Sequence, residues 1–345
     1  MGWKRDALEI FTRGCALVAP RASRPPERPR SIFVLRNNDL GDVLVVTPLL
    51  RALRRRFPEA RIAAGVGDWA APILEENRDV DEIIPVNAPW HNGRVRPQGL
   101  GPALRYIAAS REVGRIAEGR YEIGIDVLGS AYGSLLMMRA GIPFRMGVRG
   151  YAGGQSGVQR YLDFEPREHV GRFGLRFAEI LGATDLPDYR PILCLPETPA
   201  PGDAIVLAPG GGYREKCWPA DRFVALAQLL ADSRITVIGG EADREAGARL
   251  AALGPRVSDL TGRLSLRESF AAIAAARLVV CNSSMAMHAA AAFARPCIVT
   301  LGPGIPDPQA HAAQWAYPET RVLAMPTPEE VRDFIALGEA CPKTP

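Results

Sequence analysis

The sequence predicts an α/β protein of two doubly wound, Rossmann-like domains, and three observations predict it. Short runs of β-branched and aromatic residues alternate with stretches in which apolar residues recur every three or four positions, the pattern that builds strand–helix–strand units and parallel sheets. That alternation stops at residues 186–201, which hold five prolines, and then starts afresh with a strand and a glycine triplet. At 345 residues and 47% hydrophobic composition, the chain is long enough for two domains, each with a large core.

The first half is organised around residues 31–57. Residues 31–35 (SIFVL) form an inner strand, stopped by the turn formers Arg36, Asn37, Asn38 and Asp39. After Gly41, Val43, Val46, Leu50, Leu53 and Phe57 make one helical stripe, and Pro48 should kink this helix or mark its regular start. Asp42 then sits at the helix mouth, just past the carboxyl end of the strand, where open α/β sheets bind ligands; the alternative reading is a capping carboxylate. Strands follow at 61–66, 82–86, 121–127 and 144–148, with helices from residue 68 and over 103–117, 134–139 and 168–181. The polar, Pro/Gly-rich loop at 87–102 is expected to hold part of an acceptor site, so Asn38, Asp39, Gly41, Trp90 and Arg94 are the candidate contacts.

The second half reads as a strand at 204–208, the loop Gly210-Gly211-Gly212, a helix at 220–230, a strand at 235–238 and a helix at 242–253, with a short strand at Val257. Ser265 and Glu268 form a capping box that starts a helix over 266–276. A strand at 278–281, a helix at 285–293 and a last strand at 297–301 complete the pattern, and a final helix near 328–337 is expected to pack back on the first half. The expected division is an arm at 1–30, a domain at 31–185, a linker at 186–203, a domain at 204–326 and a helical tail at 327–345.

A formal net charge of +4 excludes a bulk polyanion binder, so no nucleic-acid partner is expected. The positive charge gathers at the front, at Arg13, Arg21, Arg24, Arg28, Arg30 and between residues 51 and 61, which suits acidic lipids or phosphorylated substrates or else marks solvated helix faces. Leu8, Phe11, Cys15 and Val18 form a weak helical stripe too short for a signal peptide; the segment reads as a helix on a membrane surface or as a frayed arm. Cys15, Cys194, Cys217, Cys281, Cys297 and Cys341 show no metal spacing, and a reducing cytoplasm is expected. Residues 278–294 are uncharged, but Asn282, Ser283, Ser284 and His288 argue against a membrane span.

The strand–loop–helix openings at Gly41 and at Gly210, Gly211 and Gly212 offer backbone amides and positive helix ends to an anion, with Lys216 as a point charge or a bystander. No GxxxxGK[ST] occurs and no GxGxxG follows the first strand, which weakens nucleotide hydrolysis and NAD chemistry. Asp79 and Asp81 make an isolated carboxylate pair without His or Glu partners, so no metal is expected. His288 is either a satisfied core histidine or points at a ligand; His91, His169 and His311 share no ligand spacing with it.

LGDVLVVTPLLRALRRRFPEARI, APGGGYREKCWPADRF, IGGEADRE, DLTGRLSL and LVVCNSSMAMHAAAAFARPCIVTLGP, in that order over residues 31–308, resemble the successive motifs of the family 9 glycosyltransferases, the ADP-heptose:lipopolysaccharide heptosyltransferases. The resemblance implies a glycosyltransferase B-type fold, two Rossmann-like domains facing across a cleft, the first holding the acceptor and the second the nucleotide sugar. It places the family's catalytic base on Asp42, its phosphate-contacting lysine on Lys216 and its donor-site histidine on His288, with Thr261 and Gly262 beside the nucleotide, Glu241 or Asp243 at the ribose, and Ser284 and Met285 at the phosphate-facing helix start. Where the family has Asn-Asp-Ser-Gly-Pro-Met-His, this chain has Asn-Ser-Ser-Met-Ala-Met-His, so Ser283 stands in place of the acidic residue. The activity implied is a single inverting transfer from ADP-heptose to a lipopolysaccharide or related glycolipid or oligosaccharide, without cofactor or metal, in the cytoplasm or peripherally on the inner membrane face. A nucleotide-sugar epimerase and a non-catalytic sugar-nucleotide or glycolipid binder are the alternatives.

Overall fold

The computed structural model describes residues 2–338, with side chains from residue 6 onward; Cys341 and the tail expected over 339–345 lie outside the described residues. Two units divide the chain, one formed by residues 2–166 with Gly171–Tyr189, the other by Arg167–Val170 with residues 190–338. The passage at 189–190 falls within the stretch read as linker, whereas the excursion at Arg167–Val170 carries no sequence signal.

The first unit opens with helix α1 (Gly2–Val18). Strands β1 (Ser31–Leu35), β2 (Arg61–Val66), β3 (Glu82–Pro85), β4 (Ile123–Asp126), β5 (Phe144–Arg149) and β6 (Arg160–Asp163) are all parallel, in the order β3-β2-β1-β4-β5-β6. Helices α2 (Leu40–Leu44), α3 (Thr47–Arg56), α4 (Leu100–Ala109), α5 (Arg111–Glu118), α6 (Ala131–Arg139) and α7 (Val170–Ile180) connect or flank them. Strand β1 is buried along its whole length, which is why it reads as an unbroken apolar run. Pro48 lies in the first turn of α3, where its missing N–H breaks no helical hydrogen bond. The helix expected over 103–117 is two helices, because the Ser110 side chain accepts the Val113 N–H at 3.2 Å and caps α5. Strand β6 escaped the sequence reading because it is an edge strand with only Leu162 buried.

One of the two readings of the N-terminal segment is set aside. The segment is not a frayed arm: α1 packs Leu8, Thr12, Cys15 and Ala16 inward, Ala19 follows them against the core, and the Glu9 carboxylate accepts the N–H groups of Gly154 and Ser156. Of the stripe read from the sequence, Leu8 and Cys15 face the core while Phe11 and Val18 are exposed.

In the second unit, β7 (Ile205–Ala208), β8 (Ile235–Val237), β9 (Val257–Asp259), β10 (Leu278–Asn282), β11 (Cys297–Leu301) and β12 (Thr320–Ala324) are again all parallel, in the order β12-β11-β10-β7-β8-β9. Its helices are α8 (Ala220–Leu229), α9 (Arg244–Ala251), α10 (Leu266–Ala274), α11 (Met285–Ala292), α12 (Pro308–Trp315) and α13 (Pro328–Ala336). The strand expected to be last, β11, is followed by α12 and the edge strand β12, whose polar and half-buried residues hide its pattern. The last helix, α13, is also corrected: Val331, Phe334 and Ile335 join the second unit's own core.

The basic tract after β1 is largely paired. Arg51 binds Asp79 at 2.8 Å and Arg54 binds Asp81, so the carboxylate pair serves ion pairs, and among the described residues no His/Cys/Asp/Glu group could hold a metal. The five described cysteines are free thiols, and no described helix is long and apolar enough to cross a membrane.

Arg145 of β5 ties the N-terminal segment to the sheet. Fully buried, it donates from Nε to Gly157 O at 2.8 Å and from Nη1 to Pro20 O at 2.7 Å. Burial lowers its pKa to about 10, so it remains charged at neutral pH. Arg145→Leu strands buried carbonyls and should cost about 2–4 kcal/mol in urea unfolding, with faster proteolytic cleavage around residues 20–30; unchanged stability would refute this role.

Candidate functional site

In an open parallel sheet the loops at the carboxyl ends of the strands diverge where the strand order reverses, leaving a crevice that takes ligands. That point lies between β1 and β4 in the first unit and between β7 and β10 in the second. The residues singled out from sequence gather around these two places.

In the first unit, β1 runs into Arg36, Asn37, Asn38 and Asp39, and Gly41 and Asp42 fall in the first turn of α2. Asp42 does not cap this helix. Its carboxylate pairs with the Arg36 guanidinium, and Arg36 is nearly sealed from solvent while Asp42 stays 24% exposed, so an anchored cation orients an accessible carboxylate. Asn38 Nδ2 donates to His91 O at 2.6 Å, which fastens the loop at 87–99 over the end of β1, and Trp69 Nε1 donates to Asn38 O at 2.9 Å. Burial pushes the Asp39 carboxyl above its usual range; the Gly93 N–H bond at 3.4 Å opposes this, the Asp42 charge adds to it, and Arg94 opposes it. Arg94 therefore belongs with Asp39. Trp90, expected among the acceptor contacts, is instead buried against Tyr106 and Tyr132, with ring centroids at 5.3 and 5.4 Å, because an indole this large is worth most in the core.

The same loop holds two orphans. Arg36 Nε and Asn38 Oδ1 are buried without a hydrogen-bond partner. Each such atom costs about 1–3 kcal/mol, a cost tolerated where a site needs the group. Across the crevice, at the end of β4, the buried Asp126 accepts the N–H groups of Leu128 at 3.1 Å and Ser130 at 2.8 Å, and burial raises its pKa. A Cβ at Gly133 would stand 1.9 Å from Asp126 Oδ2, so glycine is what lets α6 start this close. Sequence reasoning took Arg36 for a turn former and passed over Asp126, since neither belongs to a recognisable motif.

In the second unit, Asn282 at the end of β10 bridges the crevice. Its Nδ2 donates to Pro209 O at 2.7 Å and Gly210 O at 3.3 Å, while its Oδ1 accepts Trp218 N–H at 2.8 Å. The helix after Gly210, Gly211 and Gly212 starts at residue 220 as expected, and a 3-10 turn, Arg214–Lys216, and a proline separate it from the loop. The helix start at this crevice is instead that of α11, where Ser284 is the N-cap and Met285 the first residue. Lys216 is exposed, with Nζ 4.7 Å from the Tyr213 ring centroid, and its carbonyl accepts Gly302 N–H at 2.8 Å. Asp243 leans over the glycine loop: a Cβ on Gly210 would lie 2.3 Å from Asp243 Oδ2. Beyond it, Glu241 pairs with Arg244 at 2.8 Å, Arg244 donates to Gly262 O at 3.1 Å, and Thr261 Oγ1 donates to Asp259 at 2.7 Å. The donor-side candidates thus form a continuous row of loops at the carboxyl edge of one sheet.

His288 is the satisfied core histidine of the two readings. It is buried, its Nδ1 lies 2.8 Å from Tyr317 Oη, and its ring meets Trp315 and Tyr317 edge-on. The histidine beside the glycine loop is His311 of α12, whose Nε2 lies 2.7 Å from Ser283 Oγ. Burial, and after it the nearby Lys216 charge, lower its pKa, so it is neutral at neutral pH. Nothing in the sequence marks this pair, which joins positions 28 residues apart through a helix that the pattern did not reveal.

Residues 111–313 match glycosyltransferase family 9 (heptosyltransferase). The chain belongs to this family. Among its relatives, lipopolysaccharide heptosyltransferase 2 of Escherichia coli is 29% identical over 315 residues, 82% of this chain and 86% of the relative. The structure of E. coli ADP-heptose lps heptosyltransferase II superposes with a TM-score of 0.69 at 22% identity, covering 89% of this chain and 98% of the other. E. coli heptosyltransferase WaaC with ADP gives 0.70 at 20% identity, covering 90% and 99%. The fold is accordingly that of the B-type glycosyltransferases, and this family 9 member is a glycosyltransferase.

Burial, followed by the charges of His169 and His311, lowers the His288 pKa to about 3. The unfolded chain takes up this proton below about pH 6.5 and the folded one does not, so the neutral ring's contribution is complete above that pH and is lost as the pH falls toward 3. Between pH 7 and 5 the loss from this one ring should be about 2 kcal/mol. Urea unfolding of wild type and His288→Gln at both pH values checks it: the variant's stability should fall less on acidification, and equal slopes would contradict the assignment.

Proposed function

We propose that the protein is an inverting glycosyltransferase that moves heptose from ADP-heptose to a lipopolysaccharide acceptor, working in the cytoplasm and in peripheral contact with the membrane that carries the acceptor. The observation that carries this reading is Asp42 itself, an accessible carboxylate at a crevice, aimed by a buried arginine. The relatives named lipopolysaccharide heptosyltransferase support the sugar and the acceptor class.

In the proposed reaction the Asp42 carboxylate takes the proton of an acceptor hydroxyl while that oxygen forms its bond to the anomeric carbon. The bond from that carbon to the diphosphate breaks at the same time, its electron pair leaves with ADP, and the configuration inverts. Negative charge grows on the departing diphosphate. Lys216, the backbone amides of Gly210, Gly211 and Gly212 and the first turn of α11 after Ser284 are the groups proposed to meet it. Thr261, Gly262 and Glu241 or Asp243 are proposed beside the nucleoside, and the Ser283–His311 pair beside the sugar. Asn38, Asp39, Gly41 and Arg94 are proposed on the acceptor side. The reading assigns no step to a cofactor or a metal.

Thermal unfolding with ADP, UDP, GDP and NAD in turn tests the donor. A ligand at 100 times its dissociation constant adds about 2.7 kcal/mol, so selective stabilisation by ADP is expected, and stabilisation by UDP or GDP alone would overturn the ADP-sugar assignment. Asp42→Ala should lower turnover by about two to four orders of magnitude with ADP affinity unchanged, read by product formation on a truncated lipopolysaccharide and by calorimetry. Full activity in that variant would remove Asp42 from the chemistry.

A further inference from the structure

Helix α1 carries apolar residues on both faces, and only one face is used by the fold. Leu8, Thr12, Cys15 and Ala16 pack on the first unit. On the other side Ile10 is 72% exposed, Phe11 50%, Leu17 80% and Val18 87%. At 100° per residue these four fall within an arc of roughly 120°, with Gly14 at its middle. A Cβ on Gly14 would meet nothing within 4 Å, so the face is open along its length.

Charge selects the occupant. The first thirty residues contain seven Lys/Arg and three Asp/Glu, so the +4 of the whole chain resides there and the remaining 315 residues balance. Arg13 lies on α1 beside the open face, and Arg21, Arg24 and Arg28 follow it, all exposed. A second copy of the chain offers this basic, apolar face no acidic counterpart in net charge. An anionic bilayer offers both an apolar interior and negative headgroups. The helix has 17 residues, and no described helix is apolar enough to span, so it would lie in the interface rather than cross.

We infer that the outward face of α1, Ile10, Phe11, Leu17 and Val18 with the arginines that follow, docks the protein on an anionic phospholipid surface. This deepens the peripheral contact proposed above, yet its test involves no transfer: a failure of vesicle binding leaves the transferase reading standing, and an inactive enzyme leaves vesicle binding standing.

The experiment is co-sedimentation of the full chain with vesicles of phosphatidylcholine alone and of phosphatidylcholine with about one third phosphatidylglycerol. Wild type should partition onto the anionic vesicles about tenfold or more above the neutral ones, and less at high salt. The triple change Phe11→Ser, Leu17→Ser and Val18→Ser touches only exposed side chains and should reduce that binding about tenfold or more, with the melting temperature and the turnover of a short soluble acceptor unchanged. Arg21→Gln with Arg24→Gln should reduce it by roughly fivefold per charge. Equal binding by wild type and the triple variant, or indifference to lipid charge, would overturn the inference. So would light scattering that shows a wild-type dimer converted to monomer by the triple change, since a second copy would then own the face.

Discussion

The reversal of strand order is the constraint on which everything functional depends. Each unit starts its sheet at an inner strand, builds outward on one side, and then returns to build on the other. Right-handed crossovers then place successive helices on opposite faces of the sheet, and the loops after β1 and β4, or after β7 and β10, must part. No side chain causes the opening. What side chains decide is what borders it: Arg36 and Asp42 against Asp126 in the first unit, the glycine loop against Asn282 and Ser283 in the second.

The two crevices are furnished differently, and the difference follows from what each can satisfy. Asn282 uses its whole amide, donating to the carbonyls of Pro209 and Gly210 and accepting from the Trp218 N–H and the Thr300 hydroxyl, and so ties the start of the glycine loop to the end of β10. A preformed set of amides is what an anion site needs, because dipoles already fixed in place cost nothing to orient when charge arrives. The β1 loop is held by the Asn38 side chain, which donates to His91 O, and by the Trp69 indole, which donates to Asn38 O, but it leaves polar atoms unpaired inside it.

Much of this was legible because buried parallel strands are plain in sequence. Residues 31–35 and 278–281 are continuous apolar runs ended by polar turns, so strand, loop and helix start could each be read; position put Asp42 at a helix mouth without deciding between capping and a ligand, and Ser283 stood out only through the family resemblance. Edge elements were not legible: β6 and β12 carry polar and half-buried residues that dilute the alternation. Side-chain choices were harder still. Trp90 looks like a ligand contact in a polar loop and is buried in the core, and His288, which the sequence left open between core and ligand, is buried because Tyr317 and Trp315 pack on its ring from a distant segment. In α1 both faces are apolar, and periodicity cannot say which of two apolar faces a fold will cover.

The substitution of Ser283 for an acidic residue invites the reading of a site that has lost its chemistry. The energetics of the first unit speak against it. A buried guanidinium whose Nε has no partner, beside a buried amide oxygen in the same state, is a standing cost of about 1–3 kcal/mol per atom. Domains hold only about 5–15 kcal/mol in all, and most positions accept some replacement that relieves such a cost, so a loop released from function would drift to a cheaper composition. The ion pair of the Arg36 guanidinium is with Asp42, itself half-buried on a five-residue helix, so what the buried cation orients is the carboxylate at the crevice. Ser283 moreover is not left idle, since His311 completes a hydrogen bond with it that a neutral ring can sustain next to Lys216. The altered position is therefore better understood as a change in what the second unit grips than as the loss of what the first unit does.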